Sequence, residues 1–316
     1  MEKEMKAAVY EEFGGADKIQ IRSITIPELK ESEVLVKIKA AGVNPVDAAV
    51  REGFLKNYLP YRFPIIPGWD MAGVVADRGF SARRFAVGDA VYAYARRPLV
   101  QYGTFAEYIV IPESYLAHKP ETVSFEEAAG IPLVGLTAYQ SMYEAGNLQA
   151  DQTVLILGAS GGVGSLGIQL AKAKGARVIG VASAKNHDYM QQLGADFTLD
   201  YQQGNIGVMV KEIMPKGVDL IFDCASGDTL QQSLPALKPA GKLVSILHHG
   251  EGLNPAIHFQ YVFVEPNSSQ LEHLRELTNA GKLRVHVSET FTLDQTVEAF
   301  NQIQTHHTTG KIVLVP

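Results

Sequence analysis

A glycine-rich turn between an apolar run and a helical pattern constrains the fold of this chain more than any other feature. The run Thr153–Leu157 is apolar and partly β-branched, and Gly158-Ala-Ser-Gly-Gly-Val-Gly164 follows it directly. Apolar residues then recur on one helical face over residues 163–174, and a second strand-like run begins at Val178. This order of strand, glycine-rich turn, helix and strand is typical of a unit that binds a dinucleotide.

The glycines have a physical reason in such a unit. They allow a tight turn and bring backbone N–H groups close to a pyrophosphate, while the helix N-terminus offers unpaired N–H groups and the positive end of its dipole. The spacing here is G-x-x-G-G-x-G, and Ser160 adds a hydroxyl donor. We predict cofactor contacts at Ser160, Gly161, Gly162, Val163 and Gly164. The alternative interpretation is a tight strand-to-helix turn in another α/β protein.

The end of the second strand indicates which nucleotide is bound. An NAD-specific site usually carries Asp or Glu there, which accepts hydrogen bonds from the ribose. This chain has Ser183 and Lys185 and no carboxylate at that place. Ser183 can donate a hydrogen bond, and the charge of Lys185 would attract a 2′-phosphate. The sequence therefore predicts NADP(H), with a solvated lysine at a helix start as the alternative for Lys185.

Two kinds of secondary structure follow one another along the 316 residues, which suggests two domains. Residues 1–124 contain short apolar runs between turn residues, and 34–40 alternate with period two, as in an antiparallel barrel or sandwich. From residue 125 onward, strand-like runs alternate with helical ones, which predicts a doubly wound parallel sheet. Its six strands are expected at 153–157, 178–182, 197–199, 218–222, 243–247 and 261–264.

Charge and cysteine content bear on partners and compartment. The net charge is −6 and no basic block exists, so nucleic acid is not expected as a partner. No stretch of about 18 apolar residues is present, so no membrane span is expected, and the charged residues 1–6 do not resemble a signal peptide. The single cysteine, Cys224, can form no intrachain disulfide, which favours a cytoplasmic location. We interpret Cys224 as a small buried residue rather than a redox-active thiol.

Several motifs in the right order resemble the medium-chain dehydrogenase/reductase superfamily, and within it the zinc-free quinone oxidoreductase (zeta-crystallin) branch. The glycine loop with Ile168-Gln-Leu-Ala-Lys172 carries the resemblance. It continues through Ala41-Gly-Val-Asn-Pro-Val-Asp47, Pro67-Gly-Trp-Asp70, Gly103-Thr-Phe-Ala-Glu-Tyr108 and Gly310-Lys-Ile-Val-Leu314. The resemblance implies a GroES-like β-barrel domain at 1–124 and 285–316, a Rossmann NADP(H)-binding domain at 125–284, and a homodimer that pairs edge strands near 261–264.

The same resemblance implies roles for individual residues. Asn44 would lie beside the nicotinamide and donate to the substrate oxygen or the cofactor ribose, and Thr137 would contact the nicotinamide. Tyr201 matches a tyrosine near the adenosine-side phosphates, and Lys311 matches a basic position near the cleft. The alternatives are an Asn-Pro turn residue, a helix-interior threonine, a packing tyrosine and an exposed strand lysine. Because ligands gather outside the carboxyl ends of parallel strands, backbone near four further residues should flank the nicotinamide: Leu247, His248, Phe263 and Val264.

The resemblance also predicts that this chain works without zinc. Zinc-dependent relatives carry Cys where this chain has Asn44 and His where it has Trp69, and neither Asn nor Trp is a usual zinc ligand. The adjacent pairs His248-His249 and His306-His307 are not interpreted as metal sites. Without a Lewis acid, hydride addition to an already electrophilic carbon is favoured over alcohol oxidation. The expected acceptors are small electrophiles, namely quinones and α,β-unsaturated carbonyls.

Two alternatives remain open. One is an enoyl-thioester reductase of the same fold, for which Arg51, Lys56 and Arg62 are suggestive basic residues. The other is an NADPH-binding protein without turnover, acting as a sensor, structural or RNA-binding protein. Many quinone oxidoreductases have a tyrosine two residues after the position of Asp47, whereas this chain has Ala49. A phenol is therefore missing from the expected pocket, which favours solvent as the proton source.

Overall fold

The computed structural model describes residues 3–305 and 308–316, so the pair His306-His307 lies outside the described residues. The chain divides into two compact units, Met1–Leu133 with Glu265–Pro316, and Val134–Val264. Among the helices that the structure describes, none is long and apolar enough to cross a membrane.

The elements follow one another in chain order. The strands are β1 Glu4–Val9, β2 Gln20–Thr25, β3 Glu33–Val43, β4 Tyr61–Ile66, β5 Asp70–Arg78, β6 Ala90–Tyr94, β7 Val100–Tyr102, β8 Tyr108–Pro112, β9 Ala117–His118, β10 Thr153–Leu157, β11 Arg177–Ala182, β12 Phe197–Asp200, β13 Val218–Asp223, β14 Leu237–Ser245, β15 His258–Tyr261, β16 Val287–Thr292 and β17 Lys311–Val315. The α-helices are α1 Pro45–Arg51, α2 Phe125–Ala129, α3 Pro132–Tyr139, α4 Gly162–Ala173, α5 His187–Gln192, α6 Ile206–Ile213, α7 Gly227–Ser233, α8 Ser268–Asn279 and α9 Thr296–Ile303. A π-helical turn at Gln140–Ala145 follows α3, and short 3-10 turns lie at Ala16–Lys18, Glu113–Tyr115, Ala184–Asn186, Leu234–Ala236 and Leu293–Gln295.

The first unit is built on a seven-stranded sheet in the order β16-β17-β3-β5-β6-β9, with β8 also paired to β3. Only the β16–β17 pair in this sheet is parallel. The alternation expected along β3 is present, because Val34, Val36 and Ile38 are buried whereas Lys37 and Lys39 are exposed. The chain therefore returns after the second unit to complete the first sheet, as the sequence predicted.

The second unit is a six-stranded sheet in the order β12-β11-β10-β13-β14-β15, and every neighbouring pair is parallel. This is the strand order of the doubly wound dinucleotide-binding fold. Its core is aliphatic, with Leu155, Ile179 and Ile221 fully buried. The prediction of a doubly wound Rossmann sheet is confirmed.

The last strand of this sheet differs from the sequence prediction, which placed it at 261–264. The structure has β15 at His258–Tyr261, where Tyr261 lies opposite Ser245, the last residue of β14. Val262 still donates its N–H to the Ser245 carbonyl at 2.9 Å, but β14 has then ended. The prediction of a strand at 261–264 is therefore wrong in its bounds, because β15 can pair only as far as its neighbour β14 extends.

The two compact units also divide the chain differently from the predicted domains at 124/125 and 284/285. Helix α2 packs against β3 and β5, and a Cβ at Gly42 of β3 would lie 2.4 Å from the Ala129 carbonyl. Helix α8 is held by Tyr92, whose hydroxyl donates to the Leu271 carbonyl at 2.5 Å. Both helices therefore group with the first unit, although by sequence they resemble helices of the parallel sheet. The predicted domain boundaries stay a prediction.

Candidate active site

The glycine loop joins β10 to α4 in the geometry that a phosphate-binding turn requires. Gly158 has a φ of +73°, and a Cβ at Gly164 would lie only 2.4 Å from the Gly158 carbonyl oxygen. Any larger residue at Gly164 would force the loop away from the helix start. Helix α4 begins at Gly162 with Gly161 as its N-cap, so its first N–H groups lack intrahelical partners. The residues Ser160, Gly161, Gly162, Val163 and Gly164 therefore form a cradle that fits a pyrophosphate.

A side-chain amide links this loop to the end of β11. The Asn186 Nδ2 donates to the Ser160 Oγ at 3.1 Å and to the Ser183 Oγ at 3.2 Å. Lys185 is exposed in the same short turn. The structure thus brings Ser160 and Ser183 together. Sequence reasoning missed Asn186, since its only signal was its position one residue beyond Lys185.

The other predicted cofactor residues of the second unit follow three strands of the parallel sheet, β12 at one edge and β14 and β15 at the other. Tyr201 comes directly after β12 and is half exposed, and Leu247 and His248 follow β14. Phe263 and Val264 follow β15. Because all these strands are parallel, their carboxyl ends share one edge of the sheet. Thr137 lies apart from these strand ends in sequence and is buried in α3.

A buried polar cluster surrounds Asn44 in the first unit. The Asn44 Nδ2 donates to the Asp70 Oδ2 at 2.9 Å, and the Lys311 Nζ donates to the Asn44 Oδ1. The Lys311 Nζ also donates to the Val43 carbonyl at 3.0 Å and lies 3.8 Å from the Asp70 Oδ2. The Asp47 carboxyl accepts from the Asn44 backbone N–H at 2.8 Å. We call Asn44, Asp47, Asp70 and Lys311 the Asn44 cluster.

Strand pairing explains why residues so distant in sequence meet here. Strand β3 ends at Val43 and lies between β5 and β17 in the sheet. Asp70, the first residue of β5, is opposite Gly42, and Ile312 of β17 is opposite Val43. The sheet register therefore delivers one carboxylate and one ammonium to the two sides of Asn44.

The charges of the cluster fix the orientation of the Asn44 amide. A carboxylate can only accept and an ammonium can only donate, so Nδ2 must face Asp70 and Oδ1 must face Lys311. An amide has two N–H donors, and Asp70 takes one of them. A hydrogen bond from the Asn44 side chain also lowers the pKa of Asp47, so both carboxyls help to hold the amide. The interpretation of Lys311 as an exposed strand lysine is wrong, because only 4% of its surface is exposed.

Burial also shifts the proton affinities of the cluster. Desolvation raises the pKa of Asp47 to about 8 and that of Asp70 to about 6, the latter against the opposing charge of Lys311. Desolvation lowers the pKa of Lys311, while Asp70 and Asp47 oppose that shift. Burial therefore favours the protonated form of Asp47, whereas Asp70 and Lys311 each favour the charged form of the other. Sequence reasoning assigned no role to Asp47 or Asp70, because an isolated acid in a strand or at a helix start is common.

Asn44 and Trp69 are the two residues that the resemblance placed where zinc-dependent proteins carry metal ligands. Asn44 is occupied by the hydrogen bonds just described, and Trp69 is buried with its ring 6.1 Å from that of Tyr94. Within residues 3–305 and 308–316, no group of three or more His, Cys, Asp or Glu side chains is arranged to hold a metal ion. Cys224 follows β13 and is only partly buried, so the prediction of a buried residue is wrong. Desolvation nevertheless raises the pKa of its thiol, so the unreactive protonated form prevails.

Comparison with known proteins agrees with this architecture. Residues 30–121 match the family described as "Alcohol dehydrogenase GroES-like domain", and residues 193–314 match "Zinc-binding dehydrogenase". The chain is 36% identical to the NADPH-dependent alkenal/one oxidoreductase, chloroplastic, of Arabidopsis thaliana, over 99% of this chain and 80% of that protein. It is 32% identical to the quinone-oxidoreductase homolog, chloroplastic, of Spinacia oleracea, over 99% of this chain and 98% of that protein.

The solved structures include a quinone oxidoreductase from Coxiella burnetii that superposes with a TM-score of 0.89 at 32% identity, covering 99% of this chain and 100% of that one. This chain belongs to the medium-chain dehydrogenase/reductase superfamily, in the family of quinone and alkenal oxidoreductases. The predicted GroES-like and Rossmann fold is confirmed.

Proposed function

We propose that this protein is an NADPH-dependent oxidoreductase that transfers hydride to α,β-unsaturated carbonyl compounds or quinones without zinc. The observation that carries the proposal is the buried Asn44 amide, which Asp70 and Lys311 hold in one orientation directly after β3. Relatives named for NADPH-dependent alkenal/one and quinone oxidoreduction support the same reaction class.

The cofactor fits the second unit. The cradle at Gly158 and Gly164 leaves no room for a Cβ at Gly164, and the start of α4 offers free N–H groups to phosphate oxygens. Lys185 and Ser183 supply a positive charge and a donor for a 2′-phosphate. When bound, NADPH supplies a hydride to an electrophilic carbon. We assign the pyrophosphate to residues 160–164 and the 2′-phosphate to Ser183, Lys185 and Tyr201.

The Asn44 cluster supplies a preorganised donor for the acceptor molecule. As hydride reaches the β-carbon of an enone, negative charge develops on the carbonyl oxygen. The Asn44 Nδ2 donates to that oxygen, and Asp70 and Lys311 already hold the amide in the required orientation. The α-carbon then takes its proton from water, since Ala49 replaces the phenol found in many quinone oxidoreductases.

The enoyl-thioester alternative loses part of its support. Arg51, one of its three suggestive basic residues, is fully buried with its guanidinium 4.8 Å from the Phe300 ring centroid. It cannot attract an acyl carrier from solvent. Lys56 and Arg62 are exposed.

The test is a panel of acceptors with metal-stripped protein and a chelator. We expect NADPH oxidation with a 2-alkenal or a quinone, slower oxidation with an enoyl thioester, and a preference for NADPH over NADH. Asn44→Ala should lower kcat by about 10²-fold, the usual cost of losing one such donor. Activity that requires added zinc, or NADPH binding with no turnover of any acceptor, would contradict the proposal.

We also propose a cytoplasmic homodimer. Strand β15 is an edge strand of the parallel sheet, and an unpaired edge invites pairing with a second copy. The absence of a disulfide partner for Cys224 suits a reducing compartment. Light scattering on the purified chain tests the oligomeric state. We expect a dimer, and a monomer at all concentrations would contradict the proposal.

A further inference from the structure

A buried carboxylate joins the ends of two neighbouring strands of the parallel sheet. Asp223 is the last residue of β13, Ser245 is the last residue of β14, and the two are opposite each other in the register. The Ser245 hydroxyl donates to the Asp223 Oδ2 at 2.6 Å. Both side chains are fully buried, so this hydrogen bond is shielded from water.

Each of the two side chains holds the loop that follows its strand. The Asp223 Oδ1 accepts from the backbone N–H groups of Ala225 at 3.1 Å and Ser226 at 2.7 Å. The Ser245 Oγ accepts from the N–H groups of Leu247 at 3.1 Å and His248 at 2.8 Å. Four backbone donors from two loops thus depend on one carboxylate, directly or through Ser245.

The first of these loops is held in an unfavourable conformation. Ser226 has φ +60° and ψ −167°, a region in which residues other than glycine are strained and persist only when surrounding contacts hold them. The hydrogen bond from Ser226 N to Asp223 is such a contact.

We propose that Asp223 is a positioning residue for the nicotinamide end of the cofactor. Both loops that it holds lie at the carboxyl edge of the sheet, where ligands of doubly wound folds bind. The inference rests on the proposed function and adds to it a residue that need not touch the cofactor. Asp223 sets the backbone of residues 225–226 and, through Ser245, that of residues 247–248.

The test compares NADPH with a fragment that lacks the nicotinamide, 2′-phospho-ADP-ribose. Asp223→Ala should weaken NADPH binding at least tenfold in titration calorimetry while leaving the affinity for the fragment within twofold. A merely structural role would weaken both ligands together. Ser226→Gly removes the strain, so the double variant Asp223→Ala/Ser226→Gly should recover part of the lost NADPH affinity.

Asp219→Ala is the matched control. Asp219 lies in the same strand and accepts from Thr153 N at 2.9 Å and Lys238 Nζ at 2.7 Å, near the other end of β13. This variant should leave the affinities for both ligands unchanged. If Asp223→Ala does not fold, Ser245→Ala gives the milder test, because it releases only residues 247–248 and should still weaken NADPH alone.

The outcomes separate the two proposals. Wild-type protein that binds neither ligand would overturn the proposed function itself. Wild-type protein that binds both, with Asp223 and Ser245 variants that weaken both ligands equally or neither, would overturn only the positioning role.

Discussion

Replacing Lys311 with methionine should damage both the stability and the activity of this protein. The substitution keeps most of the side-chain volume but removes the ammonium that donates to Asn44 Oδ1 and Val43 O and faces Asp70 at 3.8 Å. Removing one partner of a buried ion pair lowers the free energy of unfolding by about 3–5 kcal/mol, because the other charge stays buried without compensation. We expect a loss of that size in the free energy of unfolding.

A double-mutant cycle with Asp70→Asn tests the reasoning. In the double variant no charge remains, and the Asn44 amide can turn so that its oxygen accepts from the new amide at position 70. The double variant should therefore be more stable than the sum of the single effects predicts by about 1–3 kcal/mol. Its activity should not recover, because the turned amide no longer presents its N–H as before.

Chemical denaturation followed by circular dichroism gives the stabilities, and NADPH oxidation gives the activity. Lys39→Met is the matched control, since Lys39 is exposed in β3 and surface substitutions usually change stability by less than about 0.5 kcal/mol. Additive single effects in the cycle would refute the claim that Lys311 and Asp70 act as a pair around Asn44. Recovered activity in the double variant would refute the claim that amide orientation matters.

Three further predictions concern pH, cofactor choice and the glycine turn. Burial holds the pKa of Asp47 at about 8, above its ordinary 3.8, so the folded state keeps a proton that the unfolded state releases. The stabilisation that this retained proton provides is complete below about pH 4 and is lost as the pH rises toward about 8. Asp47→Asn should therefore flatten the plot of the free energy of unfolding against pH, measured by denaturation at several pH values. An unchanged slope of that plot would contradict the raised pKa of Asp47. Lys185→Ala should lower the preference for NADPH over NADH by about tenfold, equivalent to about 1.4 kcal/mol. An equal loss of affinity for both cofactors would show that Lys185 does not bind the 2′-phosphate. Gly164→Ala should abolish binding of NADPH and 2′-phospho-ADP-ribose alike, because its Cβ would lie 2.4 Å from the Gly158 oxygen, and retained binding of either would contradict the cradle.

The sequence predicted the parallel sheet well because its signals are local. The glycine turn, the apolar strands and the helical face of α4 all lie within short windows, and the strand order follows from the doubly wound pattern. The edge strand was misplaced by three residues, since where β15 ends depends on where β14 ends. Helices α2 and α8 could not be grouped by sequence, because their packing partners lie on distant strands.

The Asn44 cluster was only half visible in the sequence. Asn44 and Lys311 were predicted through the family resemblance, but their mutual contact depends on β3 lying between β5 and β17. Asp70 and Asp47 gave no separate signal, since an isolated acid in a strand or helix start is common. The charge balance that fixes the amide orientation becomes visible only when the three chain segments are brought together.

Isotope labelling tests most directly whether hydride passes from NADPH to the β-carbon of an unsaturated carbonyl compound without zinc. Metal-stripped protein would be incubated with chelator, NADPH deuterated at the C4 position of the nicotinamide, and a 2-alkenal, and the product examined by NMR. We expect deuterium on the β-carbon of the saturated product, formed without added metal, and loss of most of this transfer in Asn44→Ala. Deuterium on the carbonyl carbon, or transfer only after zinc is restored, would contradict this expectation.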